Sequence, residues 1–286
     1  AEDGIRDCLL SRGLGDVYKR QMKSELVRQY SSQGRYGASV NIETEDRPRN
    51  TLALKIIIDE GKSAKIKKVN IIGNNLFTDE ELMTGFELQE GKWYTFLSNK
   101  DKYSKEKLEG DIENLESFYL DRGYLKFSIE SSQVSVSKNK EDVFITLSIS
   151  EGDQYKIDDV SVIGEMPLDE AIYNPIVESQ KNKIYSQAQI TQIEEYFVNL
   201  LGNEGYTFAE VSGNPEIDQE NKTVSLLFLV QPGNRTYARK ILFAGNYLTN
   251  DEVLRREMRQ FEGAWASDNL IEGSKVRLER LGFLKK

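Results

Sequence analysis

Residues 60–74 read EGKSAKIKKVNIIGN, and the same phrase returns as EGDQYKIDDVSVIGE at 151–165 and as PGNRTYARKILFAGN at 232–246. Each copy sets two glycines twelve residues apart: Gly61 and Gly73, Gly152 and Gly164, Gly233 and Gly245. The apolar positions between them coincide too, as Ile66, Val69 and Ile71, then Ile157, Val160 and Val162, then Ala238, Ile241 and Phe243. Self-similarity at a fixed period decides the architecture before any local motif does. Here the period is about 80 to 90 residues, too long for a solenoid repeat and right for a small domain.

A second glycine closes each module. Gly123-Tyr124, Gly205-Tyr206, Gly282-Phe283 and, more loosely, Gly34 with Tyr36 end helix-like segments. From Gly34, Gly123 and Gly205 to the glycine of the next opening phrase the distance is 27, 29 and 28 residues. Glycine just past a helix takes the left-handed conformation that closes the last turn, with an apolar neighbour packed back on the helix. These pairs therefore read as C-caps.

The copy at 61–152 is complete. Lys65 to Ile72 alternates apolar and polar residues and predicts a short strand. Thr78-Asp79-Glu80-Glu81 fits a capping box that opens helix one. After a loop at Gly91 to Tyr94, a second helix starts near Ser104, with Leu108, Ile112, Leu115 and Tyr119 on one face. Two strands follow, Tyr124 to Val136 and Val143 to Ile149, joined by a polar turn. The last strand is a nearly continuous apolar run, as are Leu52 to Ile58 and Val224 to Val230, so it belongs at the centre of the sheet with the others at its edges. The expected fold is α+β, each module β-α-α-β-β with a three-stranded mixed sheet covered by two helices.

The other copies vary this plan. At 153–232, helix one falls around Pro167 to Ser179 and contains Pro175, and Ser186-Gln187-Ala188-Gln189 forms a capping box for helix two. At 233–286, Thr249-Asn250-Asp251-Glu252 reads as the same capping box as in the complete copy, and the module stops where its hairpin should begin. At 22–60 only helix two, Lys23 to Ser32, and the hairpin remain. Residues 1–21 match no part of the repeat and read as a non-native leader. The one cysteine, Cys8, goes with it.

Composition narrows the function. A net charge of −9 argues against nucleic acid, which needs a basic footprint. Histidine is absent, which removes the commonest general base and zinc ligand. No stretch approaches the ~20 apolar residues of a membrane helix. Carboxylate pairs such as Asp158-Asp159 and Glu194-Glu195 are adjacent and diverge, whereas a glycosidase pair faces across a cleft of ~5 to 9.5 Å. No catalytic, metal or cofactor site is expected, and the chain reads as no enzyme. Asn221-Lys222-Thr223 reads as a hairpin turn and not as a glycosylation site, and Trp93 and Tyr94 as packing between the helices of their own module. The candidate binding element is the edge strand Phe127, Ser128, Ile129, Glu130, Ser131, Ser132, Gln133, Val134, Ser135 and Val136, whose unpaired backbone can accept an added strand.

Tandem βααββ modules with this opening phrase and a helix-ending Gly-aromatic resemble the POTRA domain. The likeness is closest to the Omp85 family of outer-membrane β-barrel assembly factors of Gram-negative bacteria, and covers about Met22 to Phe283. It is carried by Asp111-Ile112-Glu113 through Tyr119 to Tyr124, by Glu151 to Lys156, by Val253 to Gln260 and by Glu262-Gly263-Ala264-Trp265. The resemblance implies the second half of a second POTRA domain (22–60), a third (61–152), a fourth (153–232) and the first part of a fifth (233–286). It also implies a periplasmic location, in a parent protein held in the outer membrane by a C-terminal barrel missing here. The partners implied are periplasmic lipoproteins of the assembly machinery and unfolded outer-membrane protein precursors, received by strand addition without cofactor or covalent chemistry. In relatives the first helix of the last domain faces a lipoprotein. The matching acidic residue is Glu262, with Arg255 and Arg259 nearby. Where relatives place a basic residue on the first strand of that domain, this chain has Leu242. The alternative is the POTRA region of a two-partner secretion transporter or other structural complex. Such transporters usually carry two such domains and division proteins one, against four here in whole or part.

Overall fold

A computed structural model describes residues 2–47, 51–90, 101–247 and 249–281. The chain divides into two compact units, Ala1–Phe118 with Lys126–Gly152, and Tyr119–Leu125 with Asp153–Lys286.

The first unit opens with helix α1 (Glu2–Ser32) and an antiparallel pair, β1 (Ser39–Arg47) and β2 (Thr51–Asp59). Strand β3 (Lys65–Ile72), the short helix α2 (Asp79–Leu82) with a 3-10 turn at Met83–Gly85, helix α3 (Lys105–Leu120) and strands β4 (Ser128–Val136) and β5 (Asp142–Ser150) follow. The last two residues of α3 belong to the second unit. The strands lie in the order β3-β5-β4, with β3 parallel and β4 antiparallel to β5. Strand β5 is central because Val143, Ile145, Leu147 and Ile149 are all buried. Beside it, β3 buries Ile66, Val69 and Ile71 and turns its lysines outward. Burying each such aliphatic side chain contributes about 1.5–3 kcal/mol. Thr78 caps α2 as a capping box: its hydroxyl accepts from the Glu81 amide, and the Glu81 carboxylate accepts from the Thr78 amide at 2.9 Å.

The second unit repeats the plan as β6 (Lys156–Gly164), α4 (Glu170–Glu178), α5 (Gln187–Asn203), β7 (Glu210–Asp218) and β8 (Thr223–Gln231), with strand order β6-β8-β7. Its core joins Ile157, Val160, Ile190, Phe197, Val224 and Phe228. Phe197 meets Phe228 edge to face, with centroids 5.5 Å apart, the geometry the ring quadrupoles favour. Helices α6 (Asp251–Arg255) and α7 (Asp268–Glu279) open the last module.

The glycines that mark the repeat, Gly61, Gly73, Gly123, Gly152, Gly164, Gly205, Gly233 and Gly245, all take positive φ. Gly282, with Phe283, lies outside the described residues, as do Trp93 and Tyr94. At Gly123 (φ 87°) a Cβ would also stand 2.8 Å from Ile184 Cγ2 and 2.9 Å from the Tyr155 carbonyl oxygen. Both conformation and space require glycine there. Tyr124 folds back against Tyr119, edge to face at 5.7 Å, as the C-cap reading expects.

Several elements differ from the sequence reading. Helix α1 runs unbroken from Glu2 to Ser32, where a helix only from Lys23 was expected. The added stretch has no proline, and extending a helix costs less than starting one. Helix α4 begins at Glu170, capped by Asp169, with Pro175 inside it. Ser186 caps α5 through the Gln189 amide. Thr249 caps nothing: its amide donates to Asn246 Oδ1 at 3.0 Å, and the helix starts after Asn250, whose side chain makes no cap bond. Residues 238–243 form no strand. The first strand of each complete module pairs with the module's last strand, and no strand among the described residues pairs with residues 238–243.

Candidate interaction surfaces

Strand β4 lies at the edge of its sheet, with Phe127 just before its first residue. Its ladder with β5 runs in register from Val136 opposite Val143 to Ser131 opposite Ser148, and a bulge at Glu130 resets it to Ile129 opposite Ile149 and Ser128 opposite Ser150. The Ser137 amide donates inward to the Asp142 carbonyl at 2.9 Å. By the alternation of an antiparallel ladder, Val136, Val134 and Ser132 then turn amide and carbonyl away from β5, while Ser135, Gln133 and Ser131 turn theirs toward it. Among the described residues none accepts the three outward amides. Over the regular ladder from Ser131 to Val136, the expected strand thus offers three outward backbone positions.

The charged patch of the last module is organised from within. Glu262 accepts the Ile241 amide at 2.8 Å and an Arg255 guanidinium N–H at 3.1 Å. Those bonds hold its carboxyl below the usual carboxylate range, the backbone amide being the larger cause. Arg255 also reaches Asp251 at 2.6 Å and the Ile241 carbonyl at 3.1 Å. The exposed Arg259 side chain has no partner among the described residues, and its backbone amide donates to Ser274 Oγ at 2.7 Å. Leu242 is exposed. Structure thus brings Glu262 and Arg255 together and leaves Arg259 apart from them.

Two polar devices carry no motif of their own. Asp111, 1% exposed, accepts the Glu87 and Leu88 amides at 2.6 and 2.9 Å, fixing the chain after helix one against helix two. Burial raises its pKa, and the two amides only partly offset this. Ser274 stands seven residues into its helix after Ser267, as Asp111 stands seven after Ser104, and accepts the Arg259 and Gln260 amides in the same way. The corresponding place after Ser186 holds Ile193, so spacing alone carries no signal for the pair. Glu151 closes the turn after β3 by accepting the Asn75 and Leu76 amides at 2.8 and 3.2 Å. The depression of about 420 Å³ beside it thus borders a carboxylate already engaged.

Module junctions repeat as closely as the modules. The carbonyls of three helix-ending glycines each accept an amide three residues after the next opening glycine: Gly34 from Ala64, Gly123 from Tyr155 and Gly205 from Thr236, each at 2.8 Å. Asp121 and Asn203, two residues before their glycines, accept amides at the start of the following helix, from Ala188 at 2.8 Å and Asn269 at 3.0 Å. No group of three or more metal-ligating side chains occurs among the described residues. None of their helices is long and apolar enough to cross a membrane.

A family model for POTRA, described as a surface antigen variable number repeat, matches residues 7–61, 64–152, 155–233 and 236–286. The first stretch begins inside the segment read as a leader. The chain is 31% identical over 288 residues to the outer membrane protein assembly factor BamA of Neisseria meningitidis serogroup B, covering 98% of this chain and 36% of that protein. It is 34% identical over 256 residues to BamA of Buchnera aphidicola, covering 89% and 41%. Among solved structures it is similar to the third to fifth POTRA domains of Haemophilus influenzae BamA, with 30% identity and a TM-score of 0.64 over 79% of this chain and 88% of that one. It thus spans between a third and about two fifths of the length of these two full-length relatives.

Proposed function

The chain belongs to the POTRA family, and from that premise we propose that it is part of the periplasmic scaffold of a Gram-negative outer-membrane β-barrel assembly factor. In this reading it receives unfolded outer-membrane protein precursors by strand addition on β4 and holds periplasmic lipoproteins on the surface around Arg255, Arg259 and Glu262. The parent protein's barrel lies outside this chain. Similarity to assembly factors and the four matched stretches favour this over a two-partner secretion transporter.

The observation that supports it most is the outer edge of β4. Ser132, Val134 and Val136 offer alternating backbone donors and acceptors, which an extended segment completes. Strands of a membrane barrel, ~9–11 residues of alternating apolar and polar character, suit that edge before they have partners of their own. A photo-crosslinker at Ser135 should capture an unfolded barrel precursor, and one at the exposed Glu113 on α3 should not. Equal capture from both positions would reject the strand-specific site.

A further inference from the structure

The two complete modules carry the same edge strand, yet only one leaves it open. Ser132 pairs with Leu147, five residues before Gly152, and Gly213 pairs with Phe228, five before Gly233. Ser132 therefore corresponds to Gly213, and Val134 to Pro215. On β7 the Gly213 amide points away from β8 and is taken by the carboxylate Oε1 of Glu194, on α5. The next outward position is Pro215, which has no N–H to give. Gly213 also lets the helix come close, for a Cβ there would stand 2.7 Å from Ile190 Cγ2 and 3.1 Å from Glu194 Oε1. In the other module the residue eleven before the helix-ending glycine is Ile112, where Glu194 stands here. Isoleucine accepts nothing.

From these contacts we propose that β7 is closed to strand addition by Glu194 and Pro215, so that of the two complete modules only the one bearing β4 pairs with an extended partner. The inference rests on the strand-addition reading above and names the residues that give it selectivity. An incoming antiparallel strand needs outward donors at every second residue, roughly 6.6 Å apart. On β7 two successive donors are missing from that row, leaving Val211 and Ile217 about 20 Å apart. A strand that docked regardless would have to displace the Glu194 carboxylate and leave it between two chains without the amide it now holds.

The test uses the full 286-residue chain and a synthetic peptide of about ten alternating apolar and polar residues, the pattern of a barrel strand. Photo-crosslinkers go at Gln133 and Asn214, which occupy equivalent exposed positions on the two strands. The peptide should be captured from Gln133 and not from Asn214. In the double variant Glu194→Ala, Pro215→Val, capture from Asn214 should rise to within about threefold of Gln133. Amide hydrogen exchange of the unaltered chain gives an independent reading that needs no variant: Gly213 should exchange more slowly than Ser132. Capture from Asn214 equal to that from Gln133 in the unaltered chain, or a Gly213 amide exchanging as fast as Ser132, would overturn the closed edge and leave strand addition standing. Silence at both positions in both chains would reject strand addition itself, and the selectivity with it.

Discussion

Asp111 holds two backbone amides that have no other acceptor, so removing its carboxylate costs more than a surface change would. Asp111→Ala should destabilise its module by about 2 kcal/mol or more, read as a lowered thermal midpoint. Its pH dependence has a definite sign. Because the folded pKa lies above the unfolded one, the unfolded chain releases the proton first, and stability falls as pH rises from the unfolded pKa through the folded one. The margin by which the native chain exceeds Asp111→Asn should therefore narrow with rising pH across that window. A widening margin would contradict the burial argument. Gly123→Val should cost about 1 kcal/mol or more, since a β-branched residue resists the left-handed region and would meet Ile184 and Tyr155. In the last module the pairing of Glu262 with Arg255 separates two kinds of variant. Glu262→Lys removes the bond to Ile241 and sets two cations together, so it should lower the melting temperature as well as lipoprotein binding. Arg259→Glu changes a side chain with no partner among the described residues, so binding in a pull-down should fall while stability shifts by only about half a kcal/mol. Unchanged binding in that variant would return Arg259 to the role of a solvated surface charge.

Structure sorts the residues of the edge strand that sequence could only group. Val134→Pro removes an amide that faces outward, and Pro215 stands at the corresponding place in a folded sheet, so stability should change by less than about 1 kcal/mol while peptide capture is lost. Ser131→Pro removes an amide that faces β5 and should lower the melting point markedly. Equal melts for the two would contradict the register. What was legible in the sequence follows from periodicity. Alternation in 65–72 and 143–149, the stripe from Leu108 to Tyr119 and the capping box at Thr78 each reflect one local rule, and each element lies where that rule puts it. Thr249 is no cap because the helix starts one residue later, after Asn250, while its own amide is held by Asn246, a contact that the four-residue motif does not contain. Glu194 read as one of a diverging acidic pair, and its role depends on how near Gly213 allows α5 to approach β7. That is a tertiary distance with no trace in spacing.

At the scale of the whole chain, the glycine spacing that revealed the modules also marks their joints, since the helix-ending glycines present their carbonyls to the module that follows. Each complete sheet has its own central strand and helix stripe, so residues 60–151 expressed alone should melt cooperatively. A featureless circular dichroism spectrum would contradict those boundaries. As proposed, the chain acts by lending the edge of β4 to an extended partner. Amide hydrogen exchange of the full chain with and without a barrel-strand peptide reads that edge residue by residue. Exchange should slow at Ser132, Val134 and Val136 when the peptide binds, with the inward amides of Ser131, Gln133 and Ser135 unchanged. Bound peptide with no slowing at those three outward amides would contradict it.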